Sequence, residues 1–202
     1  MLILFIILIP HLAVAHGGGL DNNGGHKNHK TGEYHCHRDP CTPANRSSSY
    51  DRSEWGGWVD DDNDCQNTRA EILIRDSQVD TTLEGCRVVS GLWLLPYTGG
   101  SETSASRIDI DHVIPLKWAY SRGGSSWPRA KKRMFSNDPE NLLSTSASAN
   151  RSKGAKGPSR WMPNINKCAY AKKWQRLIEK YRLVINSAEA EVLTQACTGL
   201  KP

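Results

Sequence analysis

Histidine is scarce where base chemistry would need it. Of seven in this 202-residue chain, His11 lies near the start, five fall between His16 and His37, and only His112 lies beyond. Any imidazole base in the body of the chain must therefore be His112. Long apolar runs are also missing. The N-terminal run Leu2 to Ile9 is broken by Pro10 and falls short of the ~20 residues a membrane helix needs. No Lys or Arg precedes it, but Ala13-Val14-Ala15 behind it reads as a small-residue cleavage site. Residues 1-15 are thus expected to be a secretory signal peptide, with an uncleaved anchor as the alternative. Cleavage after Ala15 would leave 187 residues from His16, enough for one core and a small appendage. The expected location is secreted or periplasmic, without stable membrane association once the signal is removed. Packing material is missing between His16 and Cys41, where Gly17 to Gly19, Gly24 and Gly25 stand among polar residues.

That glycine-rich segment does contain metal-binding chemistry. His26 and Tyr34-His35-Cys36-His37 gather borderline ligands, so His26, His35, Cys36 and His37 are candidates for a zinc or copper site; a loosely folded His-rich leader is the competing reading. The segment resembles a small module of exported bacterial proteins ending in Tyr-His-Cys-His. Residues 42-54, rich in Ser, Pro, Asn and Arg, read as a linker into a main domain spanning 55-200. The six cysteines agree with export, although six allow 15 connectivities. Neighbours in sequence are the expected pairs: Cys36 with Cys41, Cys65 with Cys86, and Cys168 with Cys197. The last two would staple a helix to a strand and two C-terminal helices together, each contributing ~2-4 kcal/mol.

Two short texts carry the chemistry. In Arg107-Ile108-Asp109-Ile110-Asp111-His112-Val113-Ile114-Pro115, apolar β-branched residues alternate with polar ones and Pro115 closes the run, which reads as a strand ending at a turn. Asp111 offers a hard oxygen ligand and His112, beside it, a base titrating near ~6.5 when unperturbed. In the second text, Leu142 and Leu143 suggest a strand, and Ser146 or Ser148 could cap a helical turn carrying Asn150. An asparagine amide beside one carboxylate suits magnesium, which keeps several waters. Arg151, Lys153 and Lys156 follow, placed to meet phosphate oxygens. The bland alternative is that Asp109, Asp111 and His112 are polar residues at a solvated strand end.

The paired texts resemble the HNH endonucleases, whose ββα-metal finger is two strands and a helix around one cation. Asp111-His112-Val113-Ile114-Pro115 is similar to their first strand, Asn141 to the middle Asn and Asn150 to the closing ligand. The step from Asn141 to Asn150 is similar to the nuclease finger of RNA-guided CRISPR effectors. The span from Tyr50 to Cys197 resembles small secreted bacterial HNH proteins. The resemblance implies an α+β fold, with a ββα finger (core 107-158) inside a small, mainly helical, disulfide-containing domain. It further implies His112 as general base, Asp111 and Asn150 as ligands of Mg2+ or Mn2+, and Asn141 as a catalytic-loop residue that fixes the finger. Many members have His where this chain has Asn150, which bears on the choice of metal.

Charge points to a polyanion. Residues 107-182 hold 17 Lys or Arg against 5 Asp or Glu, a local net of +12 in a chain whose total is +5. DNA is the expected partner, with RNA as the alternative substrate, and binding should weaken with salt. Arg129 and Lys132, on a basic helix opened by Pro128, join Arg151, Lys153 and Lys156 as candidate contacts. Two non-enzymatic readings compete: an exported DNA-binding or uptake protein, and a His-rich metal-binding protein.

The remainder reads as scaffold. Thr68 to Asp76 is expected to be a helix with Arg69 paired to an acid, and Cys86 to Tyr97 a hairpin turning at Ser90-Gly91. Tyr170, Trp174, Leu177, Ile178 and Tyr181 form one face of a helix, and Asn186 with Glu189 caps a last one. Calcium is conceivable at the acidic cluster Asp60 to Asp62 and Asp64. A solvated turn before the first helix is the preferred reading, because a calcium loop's glycine is missing.

Overall fold

The computed structural model describes residues 19–20, 24–27, 34–37 and 50–198. The proposed signal peptide and Cys41, with its expected bond to Cys36, lie outside the described residues. The chain forms two compact units, 1–49 and 50–202. In the first, β1 (Gly25–Lys27) pairs antiparallel with β2 (Tyr34–Cys36), His26 standing opposite His35 in register.

The second unit is α+β. Asp51 caps a 3-10 turn over Arg52–Trp55. Helix α1 (Thr68–Asp76) then starts on Asn67, whose side chain accepts from Ala70 N; such a cap satisfies one of the orphaned first-turn donors. Strands β3 (Thr82–Glu84), β4 (Arg87–Leu94) and β5 (Ser101–Ser104) make one antiparallel sheet in that order. A second sheet pairs β6 (Ile108–His112) with β7 (Leu142–Ser146). Helices α2 (Leu116–Ser121) and α3 (Arg129–Ser136) fill the connection between them. Directly after β7 come α4 (Ala147–Lys153), capped by Ser146, and later α5 (Lys167–Tyr181) and α6 (Ser187–Thr198). No helix among the described residues is long and apolar enough to cross a membrane.

The β6–β7 pair lies between two apolar clusters. Ile108, Ile110 and Leu142 pack with Ile72, Leu73, Val88 and Trp93, while Val113, Ile114 and Leu143 join Trp55, Trp118, Phe135, Tyr170 and Trp174. Burial on both sides, each large side chain worth roughly 1.5-3 kcal/mol, fixes the strand pair's register and with it the positions of Asp111 and His112. Helix α1 grips both strands through arginines. Arg75 donates to Leu142 O at 2.8 Å and Pro139 O at 2.7 Å, and Asp76 accepts from Ser144 N at 2.7 Å. Arg69 departs from expectation: it donates to the Ile108 and Ala105 carbonyls, at 2.8 and 3.2 Å, rather than to an acid.

The hairpin also falls elsewhere than expected. Its turn is at Gly85-Cys86, and β4 runs straight through Ser90-Gly91 with an irregular register there. Gly91 serves close approach: a Cβ would stand 2.7 Å from Ser77 Oγ and 2.8 Å from the Trp93 ring. Cys65 bonds to Cys86 and Cys168 to Cys197, as expected from sequence neighbours. They tie the segment before α1 to the β3–β4 turn, and α5 to α6.

Candidate active site at the end of strand β6

Alternation along β6 turns Asp109 and Asp111 toward α4 and His112 toward the Trp58 side. His112 stacks on Trp58, centroids 5.6 Å apart at 10°, and its Nε2 lies 2.8 Å from Ser136 O. A carbonyl can only accept, so the neutral ring carries its proton on Nε2 and its lone pair on Nδ1. Burial pushes the imidazole down to about 3, outweighing the opposing bond to Ser136; Arg52 and Lys153 push the same way. His112 is therefore unprotonated at neutral pH, the state a general base requires.

This shift couples to stability. In the unfolded chain a histidine titrates near ~6.5, so below that pH the unfolded state binds the proton first. The contribution is complete above about pH 6.5 and drains as pH falls toward the folded value of about 3. Between pH 7 and pH 5 the wild type should lose about 2 kcal/mol more unfolding free energy than His112→Gln. Urea titrations of both proteins measure the difference; equal losses would refute the shift.

Asp111 is held from two sides. Its Oδ1 accepts from Lys153 Nζ at 2.9 Å and its Oδ2 from Tyr97 OH at 2.7 Å. Lys153 also donates to His112 O at 2.6 Å and has no exposed surface. Burial pushes the Asp111 carboxyl up and the Lys153 ammonium down, and each partly restores the other's charge. The expected phosphate contact by Lys153 is thus corrected: a wholly enclosed ammonium cannot reach substrate. Lys132 is corrected likewise, being 6% exposed and bonded to Glu54 Oε2 at 2.6 Å. Arg129, Arg151 and Lys156 are exposed.

Asn150 donates through Nδ2 to Asp109 Oδ2 at 3.0 Å, which leaves its carbonyl oxygen as the donor atom for a cation. Asp111, His112 and Asn150 line one cleft of about 310 Å³, together with Arg52, Lys117 and Tyr50. Both Asp111 oxygens take one hydrogen bond each, and a carboxylate has about four lone-pair sites, so one more ligand is accommodated. A hard divalent cation fits this donor set, with substrate phosphate supplying further oxygens. Asn141 is fully buried: Oδ1 accepts from Ile114 N at 2.8 Å, Nδ2 donates to Ile114 O, and its own carbonyl accepts from Val113 N at 2.7 Å. It clamps the residues after His112 and lies among none of the groups lining the cleft.

The His26 and His37 rings approach to 4.8 Å, but Cys36 is disulfide-bonded, so the expected thiolate ligand is corrected. One oxygen each of Asp60, Asp62 and Asp64 lies within 4.8 Å of the others. These carboxylates accept from Cys65 N, Asp64 N and Gln66 N, capping their own turn. Tyr97, Trp58 and Arg52 belong to the site without any spacing in the sequence to announce them.

No solved structure matches the chain. A protein of Arthroderma benhamiae, described as an uncharacterized secreted protein, is 36% identical over 159 residues, covering 75% of this chain and 76% of its own length. Residues 66–196, which include β6, β7 and α4, match the family described as GmrSD restriction endonucleases, C-terminal domain. By that match, the chain belongs to the family of GmrSD restriction endonuclease C-terminal domains.

Proposed function

We propose that the protein is an exported, metal-dependent endonuclease that hydrolyses phosphodiester bonds in DNA. The observation that carries this reading is the His112 ring: Nε2 is committed to Ser136 O, which leaves the lone pair on Nδ1, and the residue lines one cleft with Asp111 and Asn150. Nδ1 takes a proton from water, the hydroxide attacks phosphorus, and the bond to the 3′ oxygen breaks; that oxygen takes a proton from solvent, leaving a 5′ phosphate and a 3′ hydroxyl. Asp111 and Asn150, with Asp109 orienting the amide, would hold a magnesium-like ion, which when bound offsets charge on the scissile phosphate. Lys153, bonded to His112 O, and Asn141, bonded to the main chain of Val113 and Ile114, keep the end of the strand at His112 in place. Export is supported by the paired cysteines and by the secreted description of the fungal relative.

A second reading, DNA binding without cleavage, is favoured by the ammonium already seated on Asp111. Incubating the oxidised protein with plasmid DNA and magnesium, manganese, zinc or calcium separates the two. Nicking in at least one metal that chelator abolishes is the expected result; salt-sensitive binding with no cleavage in any of the four would establish the second reading.

A further inference from the structure

A second cleft, of about 590 Å³, shares Tyr50, Lys117 and Ala155 with the candidate active site and runs on past Tyr120, Arg122, Lys156, Gly157 and Arg160. Its charge is one-sided. Lys117, Arg122, Lys156 and Arg160 face a single acid, Glu189. That acid is spent internally: Oε1 accepts from Trp118 Nε1 at 2.9 Å, Oε2 lies 3.1 Å from Arg122 Nη2, and the residue is 3% exposed. Lys117, Lys156 and Arg160 are exposed, so they set the field a ligand meets. Gly157 brings backbone flush against the floor, where a Cβ would run into the Glu189 carboxylate and the Trp118 indole.

Resting on the nuclease reading above, we propose that this cleft holds the phosphates flanking the scissile one, so that the substrate is an extended nucleic-acid strand rather than a mononucleotide or small diester. Continuity with the site supplies the path, and three exposed cations among its lining residues supply partners for successive phosphates. Most of the expected delivery surface, helix α3, is engaged elsewhere, with Arg129 left exposed. Lys132 is bonded to Glu54, Arg133 to Asp61, and Lys131 lies 4.6 Å over the Trp127 ring. The end of α2 and residues 155–160 take that role.

The test is the full oxidised chain carrying Lys156→Gln and Arg160→Gln, two residues that line only the second cleft. Binding of a labelled single-stranded 20-mer without metal should weaken about tenfold. The slope of log affinity against log salt should fall by about 1.4, or ~0.7 per lost phosphate contact. With a supporting metal, the loss of kcat/KM on DNA should exceed the loss on bis(p-nitrophenyl) phosphate about tenfold and should fall mainly in KM. A charge-matched pair on α5, Lys167→Gln with Lys172→Gln, should weaken binding less than about threefold. Unchanged affinity and salt slope would overturn the proposal, as would equal losses on DNA and the small diester. Should the wild type bind the strand through this cleft yet cleave neither substrate, the nuclease reading falls and the cleft assignment stands.

Discussion

Replacing His112 by alanine is expected to reduce DNA cleavage about 10²- to 10⁴-fold, the range a positioned general base supplies, while leaving DNA affinity nearly unchanged. The reason is the division of labour at the strand end. The cations proposed to meet phosphate are exposed on α2, on α4 and along residues 155–160, whereas His112 is buried between Trp58 and Ser136 O and carries no charge at neutral pH. Removing the ring takes away the proton acceptor and one stacking contact, not the positive field. Single-turnover cleavage and equilibrium binding, measured on the same preparation, separate these. His112→Gln provides a check on folding, since its longer amide reaches the position of Nε2 and can still donate to Ser136 O. Cleavage at the wild-type rate in the alanine variant would remove His112 from the mechanism.

The second large effect is on stability. Lys153→Ala should cost about 3-5 kcal/mol, because it strands the Asp111 carboxylate in the interior with Tyr97 OH as its remaining donor. That is a large fraction of the 5-15 kcal/mol that holds a typical domain together, so unfolding should be followed at low temperature. Removing both charges in Asp111→Asn with Lys153→Met should recover much of the loss, since a neutral pair of similar volume leaves no uncompensated charge. A surface phosphate contact would behave in the opposite way: stability would hold while DNA affinity and its salt slope fell. Urea unfolding of the single and double variants distinguishes the cases. A Lys153→Ala protein as stable as wild type would show that the ion pair carries no structural weight.

The legible parts of the molecule were those in which neighbouring residues state their own structure. Alternation of Ile108, Asp109, Ile110 and Asp111 marked β6, which ends at His112, short of Pro115; Leu142 and Leu143 marked the start of β7, which runs on to Ser146; and of the two serines offered as caps, Ser146 opens α4. The amphipathic face of α5 was equally plain. The hairpin was misplaced because a Ser-Gly pair usually marks a turn, whereas Gly91 is small for the sake of Trp93 and Ser77, a contact that only the tertiary structure shows. Arg69 was assigned an acid because carbonyl acceptors leave no signature in sequence. Lys153 and Lys132 were assigned to phosphate for a related reason. A buried lysine looks like a surface lysine until its partner is known, and the partners Asp111 and Glu54 lie 42 and 78 residues away. Tyr97, read as the end of a hairpin, became visible as a site residue only through its bond to Asp111.

The most direct measurement is a crystal of the protein soaked in manganese with an oligonucleotide, examined for anomalous scattering. The expected result is one strong peak within the cleft bounded by Asp111, His112 and Asn150, in ligand contact with Asp111 and Asn150 oxygens and with phosphate. A cleft without a peak, or manganese found solely at the acidic turn of Asp60, Asp62 and Asp64, would contradict it.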